Sequence, residues 1–283
     1  MSKKSKSKCN KNFADNQLGV FHSVSKLSID AVLFDLFDTL VLIDDEDISY
    51  IQSLLKMHHY LLCNGLRCSF EDFKYAYLKV VDKIEVETSS TLKEPHFTEY
   101  VERTLADLGV KLKGQTHLII QAADKFSKEF ARHVSLDSKA QEVLEFFHGK
   151  CKIAVISNLT FSECAWEILE LYGLKKYLDL IVVSGDINLR KPHPQIFDMS
   201  LRYLGVKPSK ALFIGDTLET DIMGSRNAGL TSVHIMRKKS VNSIIKPHYA
   251  ITDLKQLINL CDFQIDATSE ATSTEPVDLA YNV

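Results

Sequence analysis

Residues 138–184 read SKAQEVLEFFHGKCKIAVISNLTFSECAWEILELYGLKKYLDLIVVS, and the rhythm of this stretch decides the fold. SKAQEVLEFFHGK repeats apolar residues at helical spacing, and KIAVIS is a short apolar run of strand length. FSECAWEILELYGL is helical again and closes at Gly173, and LDLIVVS is a second strand. Downstream, HPQIFDMSLRYLGV reads as a helix with Pro194 in its first turn, where the missing N–H costs nothing. ALFIGD is a strand, ETDIMGSRNAG a helix and TSVHIM a strand, and HYAITDL supplies one more. Upstream, AVLF at 31–34 forms a buried run that ends at Asp35. Strands alternating with helices build right-handed βαβ units around a parallel sheet. The expectation is an α/β, Rossmann-like parallel sheet core.

Between AVLF and that alternating region the pattern changes. ISYIQSLLKMHHYLLC, FEDFKYAYLKVVDKI, FTEYVERTLADLGV and HLIIQAADKFSKEFARHV all carry helical periodicity, punctuated by Gly65, Pro95 and Gly109. The division expected is a core of residues 29–43 and 136–262, with an all-helical cap of residues 44–135 inserted after the first strand. Open α/β sheets bind ligands beyond the carboxyl ends of their strands, so an insert rooted there would cover the crevice as a lid.

Composition bounds the function. The 283 residues are 45% hydrophobic and 25% charged, with a net charge of −3. This excludes a wholly disordered chain, a fibrous repeat and a coiled-coil rod. The body shows no basic stripe for nucleic acid, and no apolar run is long enough to span a bilayer. The six cysteines are scattered without metal-site spacing and read as free thiols of a reducing, cytoplasmic compartment. Residues 1–28 read as a disordered basic tail, with five lysines in MSKKSKSKCNKN, and residues 263–283 as a disordered acidic tail. A monomer or a homodimer is expected.

Polar residues stand at the strand ends: Asp35 in FDLFDTL, Ser157 in VISNLT, Lys191 in LRKPHP, and Asp216 with Asp221 in FIGDTLETD. Singly, each could cap a turn or face solvent. Parallel strands, however, deliver all of them to one edge of the sheet. Asp35 and Asp216 would bracket a hard divalent cation such as Mg²⁺, which takes few carboxylates and completes its shell with water and phosphate oxygens. Lys191 and the Ser157 hydroxyl supply a charge and a donor for a phosphoryl group. A carboxylate balanced in this way can attack phosphorus to form an aspartyl-phosphate.

The ordered set FDLFDTL, SN, RKPHPQIF and IGDTLETDIMGSRNAG resembles the haloacid dehalogenase superfamily over roughly residues 29 to 260. The resemblance implies Asp35 as nucleophile, Ser157 and Lys191 as phosphoryl-binding groups, and Thr39 and Asn158 as substrate-binding neighbours. It implies Mg²⁺ as cofactor, held by Asp35, Asp216, Asp221 and the backbone carbonyl of Phe37. The partner it implies is a small phosphorylated substrate, without nucleic acid or membrane.

One departure matters. Phosphatases of the family place a second Asp two residues after the nucleophile as general acid and base, and this chain has Phe37 there. Acid–base help is worth about 10²–10⁴-fold. Asp38 could take the role, or a cap residue such as Asp44, Asp45, His58 or His59. Alternatively the bond hydrolysed is carbon–halogen or carbon–phosphorus, as in relatives that also lack the second Asp, or the chain is a non-catalytic phospho-ligand scaffold. The family's dehalogenases dispense with the metal and lose the GDxxxxD pattern, which GDTLETD keeps. Its carbon–phosphorus enzymes need a cap lysine, for which Lys56, Lys74, Lys79 and Lys83 are available.

Overall fold

The computed structural model describes residues 27–111, 113–237, 243–261 and 277–278. Its main sheet is built from β1 (Ala31–Phe34), β4 (Lys152–Ser157), β5 (Leu180–Val183), β6 (Ala211–Gly215), β7 (Thr231–Ile235), β8 (Tyr249–Ile251) and β9 (Val277–Asp278). The order is β8-β7-β6-β1-β4-β5-β9, and every neighbouring pair is parallel. Remaining in chain order are β2 (Val41–Ile43) and β3 (Val134–Leu136), which pair antiparallel as a separate ribbon.

The apolar runs are strands because both faces of the sheet are covered. Val32, Phe34, Val155, Leu212 and Ile214 point into one apolar cluster, and Ala31, Leu33, Ala154, Ile156 and Phe213 into another. That is the period of two that a pleated strand imposes. The second cluster is closed by Ile196, Phe197 and Leu201 of the helix Pro194–Leu204, which starts with the expected proline and ends at Gly205 with a φ of 70°. The core is therefore the expected α/β doubly covered parallel sheet.

Four helices lie between β2 and β3: α1 (Glu46–Cys63), α2 (Phe70–Thr88), α3 (Phe97–Asp107) and α4 (Thr116–Ala131). Asp45 caps α1 by accepting from Ile48 N, and Ser69 caps α2 by accepting from Asp72 N. Buried faces of all four, among them Met57, Phe73, Phe97 and Phe126, join the first apolar cluster.

Three expectations need revision. The β2–β3 ribbon ties the two roots of the helical insert together, so the expected boundary at residues 135 and 136 falls inside β3. Leu27, assigned to the basic tail, bridges Cys261, because an apolar side chain beside the sheet gains by docking. Val277 and Asp278, assigned to the acidic tail, pair with Leu180 and Ile181, whose outer edge would otherwise offer unpaired backbone groups. The expectations for residues 1–26, 262–276 and 279–283 lie outside the described residues. Among the described residues, no helix is long and apolar enough to cross a membrane.

Candidate active site

The parallel register brings the strand-end residues together. Asp35 follows β1 and continues the ladder by donating its N–H to Ile214 O at 2.8 Å. Its carboxylate is almost buried, and Oδ1 accepts from Lys191 Nζ at 2.5 Å. Lys191, 2% exposed, also meets Asp221 Oδ1 at 2.7 Å and lies over the Phe213 ring. One ammonium thus serves two buried carboxylates, and a buried charge requires such pairing. Burial pulls the Lys191 pKa down, but Asp221 and Asp35 outweigh it, and the net shift is upward.

Asp35, Asp216 and Asp221 each offer a carboxylate oxygen within 4.8 Å of the others. Burial raises the Asp35 pKa to about 7, against the attraction of Lys191 and with the repulsion of Asp221. Burial, with Asp221 and Asp38 nearby, raises Asp216 to about 6. Negative charge crowded in this way favours a bound cation, and the all-oxygen donor set suits Mg²⁺. Two features let Asp221 approach. A wide helical turn, Leu218–Ile222, replaces the start of the regular helix expected there, and Thr217 N donates to Asp221 Oδ2 at 3.1 Å. Gly215 is the second, because a Cβ there would collide with the Asp221 carboxylate.

Ser157 ends β4 fully buried, and its hydroxyl has no hydrogen-bond partner among the described residues. Thr39 is also buried, with Oγ1 3.5 Å from Asp35 Oδ2. Asn158 turns its amide toward the Lys191 backbone. Its Oδ1 accepts from Lys191 N at 2.8 Å, and its Nδ2 donates to Lys191 O at 3.0 Å. The amide complements both backbone groups of Lys191, so it braces the segment that carries the lysine.

Of the candidates for the missing acid, Asp38 stays near Asp216, and the other four are engaged elsewhere. Asp38 adopts a φ of 50°, and its Oδ1 is turned to Ile43 N at 3.4 Å. Asp44 accepts from Ser135 Oγ, and Asp45 caps α1. His58 is buried between Phe70 and Phe73 with Nε2 on Cys68 O, and His59 contacts Cys63. Phe37 packs edge-on against Phe130 of α4, ring centroids 5.9 Å apart. The side chain at the usual acid position is therefore part of an aromatic contact between the sheet and the helical insert. Of the cap lysines, Lys74, Lys79 and Lys83 face Glu71, Asp107 and Glu87, and Lys56 lines a surface groove with His59 and Glu129.

Two residues of the site were not singled out from sequence. His234 of β7 donates from Nε2 to Asp216 O at 2.9 Å, fixing the backbone that carries the carboxylate. Arg237 donates to Asp38 O at 2.8 Å and Thr39 O at 2.6 Å and pairs with Asp137 at 2.8 Å. It thereby holds the loop after β1 in shape. The only local hint was a His and an Arg at the end of a strand reading TSVHIM.

A family model described as haloacid dehalogenase-like hydrolase matches residues 29–229. The chain is 35% identical over 117 residues to a glyceraldehyde 3-phosphate phosphatase of Methanopyrus kandleri, covering 41% of this chain and 46% of that one. It is 35% identical over 123 residues to the pyrimidine 5'-nucleotidase YjjG of Escherichia coli, 43% of this chain and 54% of that one. The matches thus span about half the length of these two relatives. Human N-acylneuraminate-9-phosphatase is 25% identical over 202 residues, 65% of this chain and 79% of that one. A 2-haloacid dehalogenase from Pseudomonas syringae superposes with a TM-score of 0.66 at 22% identity, covering 82% of this chain and 97% of that one. A hydrolase from Bacillus subtilis solved with magnesium superposes with a TM-score of 0.56 at 20% identity, covering 83% of this chain and 99% of that one. With a parallel sheet that carries its acidic residues at the strand ends, and a family model that spans most of the chain, the protein belongs to the haloacid dehalogenase-like hydrolases.

Proposed function

We propose that the protein is a Mg²⁺-dependent phosphatase of a small phosphorylated metabolite, with Asp35 as nucleophile. The observation that carries the reading is the convergence on Asp35 of Lys191 at 2.5 Å, in a site that also holds the buried hydroxyl of Ser157, unpartnered among the described residues. A buried donor without an acceptor is costly, and a phosphoryl oxygen would satisfy it. In this reading an Asp35 oxygen attacks phosphorus as the bond to the leaving oxygen breaks. Water then attacks the aspartyl-phosphate, releasing inorganic phosphate and restoring Asp35. Lys191 and Ser157 hold the phosphoryl oxygens, and Thr39 and Asn158 support Asp35 and Lys191 respectively. Asp35, Asp216, Asp221 and the Phe37 carbonyl would hold Mg²⁺, which supplies positive charge to offset the phosphoryl group. The phosphatase names of the relatives and the magnesium in the Bacillus neighbour support the reading.

Phe37 narrows the substrate class. Without a carboxyl at that position, leaving groups that depart as weak bases, acyl or aryl phosphates, should react far better than alkyl phosphates. The penalty on alkyl substrates should approach 10⁴-fold, about 5 kcal/mol in the barrier. Halide departure shares this independence from an acid, but the dehalogenases of the family need no metal, and the three clustered carboxylates favour phosphoryl transfer. The test is kcat/KM against leaving-group pKa, with Mg²⁺, for the wild type and Phe37→Asp. A steep slope that Phe37→Asp flattens supports the reading. Haloacid turnover in excess chelator, with no phosphate ester hydrolysed, would replace it with the dehalogenase reading.

A further inference from the structure

The connection between α2 and α3 reaches away from its own helices and grips the two loops that carry Ser157 and Lys191. Leu92 turns into the left-handed region, φ 53°, and its carbonyl accepts from Arg190 N at 2.9 Å. A side chain other than glycine enters that region at a cost of about 1–2 kcal/mol, so the turn must be held by what it contacts. Two residues on, Glu94 is only 6% exposed and faces the Arg190 guanidinium at 3.8 Å. Ser184, in the same loop as Arg190, accepts from Leu159 N at 2.8 Å and donates to Leu159 O at 3.3 Å through its hydroxyl. Phe97 N then donates to Thr160 O at 2.7 Å. The two gripped loops are pressed together, since a Cβ at Gly185 would come within 2.5 Å of Thr160 O.

Arg190 is the residue before Lys191, and Lys191 is clamped from the other side by Asn158. The Lys191 backbone is therefore held between Asn158 and a strap from the helical insert. We propose that Glu94 is a positioning residue that, through Arg190, seats Lys191 against Asp35, so that the helical insert helps to set the catalytic geometry. This rests on the phosphatase reading for its kinetic consequence but not for its structural one. The buried carboxylate explains itself in these terms, because an acid so enclosed calls for a cationic partner, here Arg190.

The experiment compares wild type, Glu94→Gln, Arg190→Gln and the double variant, with Glu87→Gln as a surface ion-pair control. Hydrogen exchange on the whole chain reads the segment 186–193 without any ligand. Kinetics use acetyl phosphate and p-nitrophenyl phosphate with Mg²⁺. The proposal expects faster exchange in 186–193 in both single variants, with the strands of the sheet unchanged. It expects kcat to fall toward 10²-fold, the effect of about 1 Å of misplacement, with KM little altered. The double variant should match the worse single one, as expected for a coupled pair, and Glu94→Asp should recover part of the loss. Unchanged exchange in 186–193, unchanged kcat, or additive single effects would each overturn it. If the wild type hydrolyses no phosphate, the phosphatase reading fails, and the exchange data alone decide whether the strap exists.

Discussion

Removing the Lys191 ammonium while keeping its stem, as in Lys191→Met, should unfold much of the protein's margin at alkaline pH. Lys191 touches Asp35 at 2.5 Å and Asp221 at 2.7 Å, and all three side chains are buried. Deleting one partner of a buried ion pair costs about 3–5 kcal/mol, because the charge left behind is neither hydrated nor matched. Domains of this kind have only about 5–15 kcal/mol in total. The cost should depend on pH in a defined direction. The Asp35 pKa, already raised to about 7 by burial, moves higher still once the lysine is gone. Below that range Asp35 is neutral in both proteins, so losing the lysine no longer leaves its carboxylate as a bare charge. Urea unfolding at pH 8 and pH 5, in chelator, should therefore show the larger destabilisation at pH 8. Added Mg²⁺ should return part of it. Equal cost at the two pH values, or a cost below about 1 kcal/mol at pH 8, would refute a site organised around one shared ammonium.

Two further outcomes follow from the same geometry. The folded-state pKa values of Asp35 and Asp216, raised to about 7 and about 6, lie above the unfolded value of 3.8. The stability these groups contribute is present below 3.8 and lost as pH rises through 6 and 7, so the metal-free protein should become less stable across that window while Mg²⁺ affinity rises. Thermal unfolding and calorimetric Mg²⁺ titration at about pH 5.5 and about pH 8, below the lower value and above the higher one, check both signs. Arg237→Met should lower kcat with both phosphate probes, because it removes the charged donors to Asp38 O and Thr39 O and leaves Asp137 with only its bond from Lys139 N, each charged bond being worth about 1.5–3 kcal/mol. Steady-state kinetics beside a thermal melt separate this from simple unfolding, and an unchanged kcat would deny the loop-holding role.

Most of the sheet was legible because its strands are buried on both faces. AVLF, KIAVIS, LIVV and ALFIG appear as unbroken apolar runs, and a parallel sheet then forces their carboxyl ends to one edge. That geometry brought Asp35, Ser157 and Asp216 together before any contact was known. The β2–β3 ribbon was not legible, since each strand has three residues and finds its partner some ninety positions away. The same limit hid the work of Asn158, His234 and Arg237. Each satisfies backbone groups of a distant segment, and no local spacing announces such a bond. Phe37 was legible as a departure, but its packing against Phe130 depends on where α4 lies.

The most direct test is chemical trapping at Asp35. Incubation with acetyl phosphate and Mg²⁺, an acid quench and peptide mass spectrometry should find one added phosphoryl group on the peptide that contains Asp35. The adduct should be labile to hydroxylamine, as an acyl phosphate is, and absent from Asp35→Asn. A phosphoryl group on another residue, or turnover of acetyl phosphate by Asp35→Asn at the wild-type rate, would contradict the assignment of Asp35 as nucleophile.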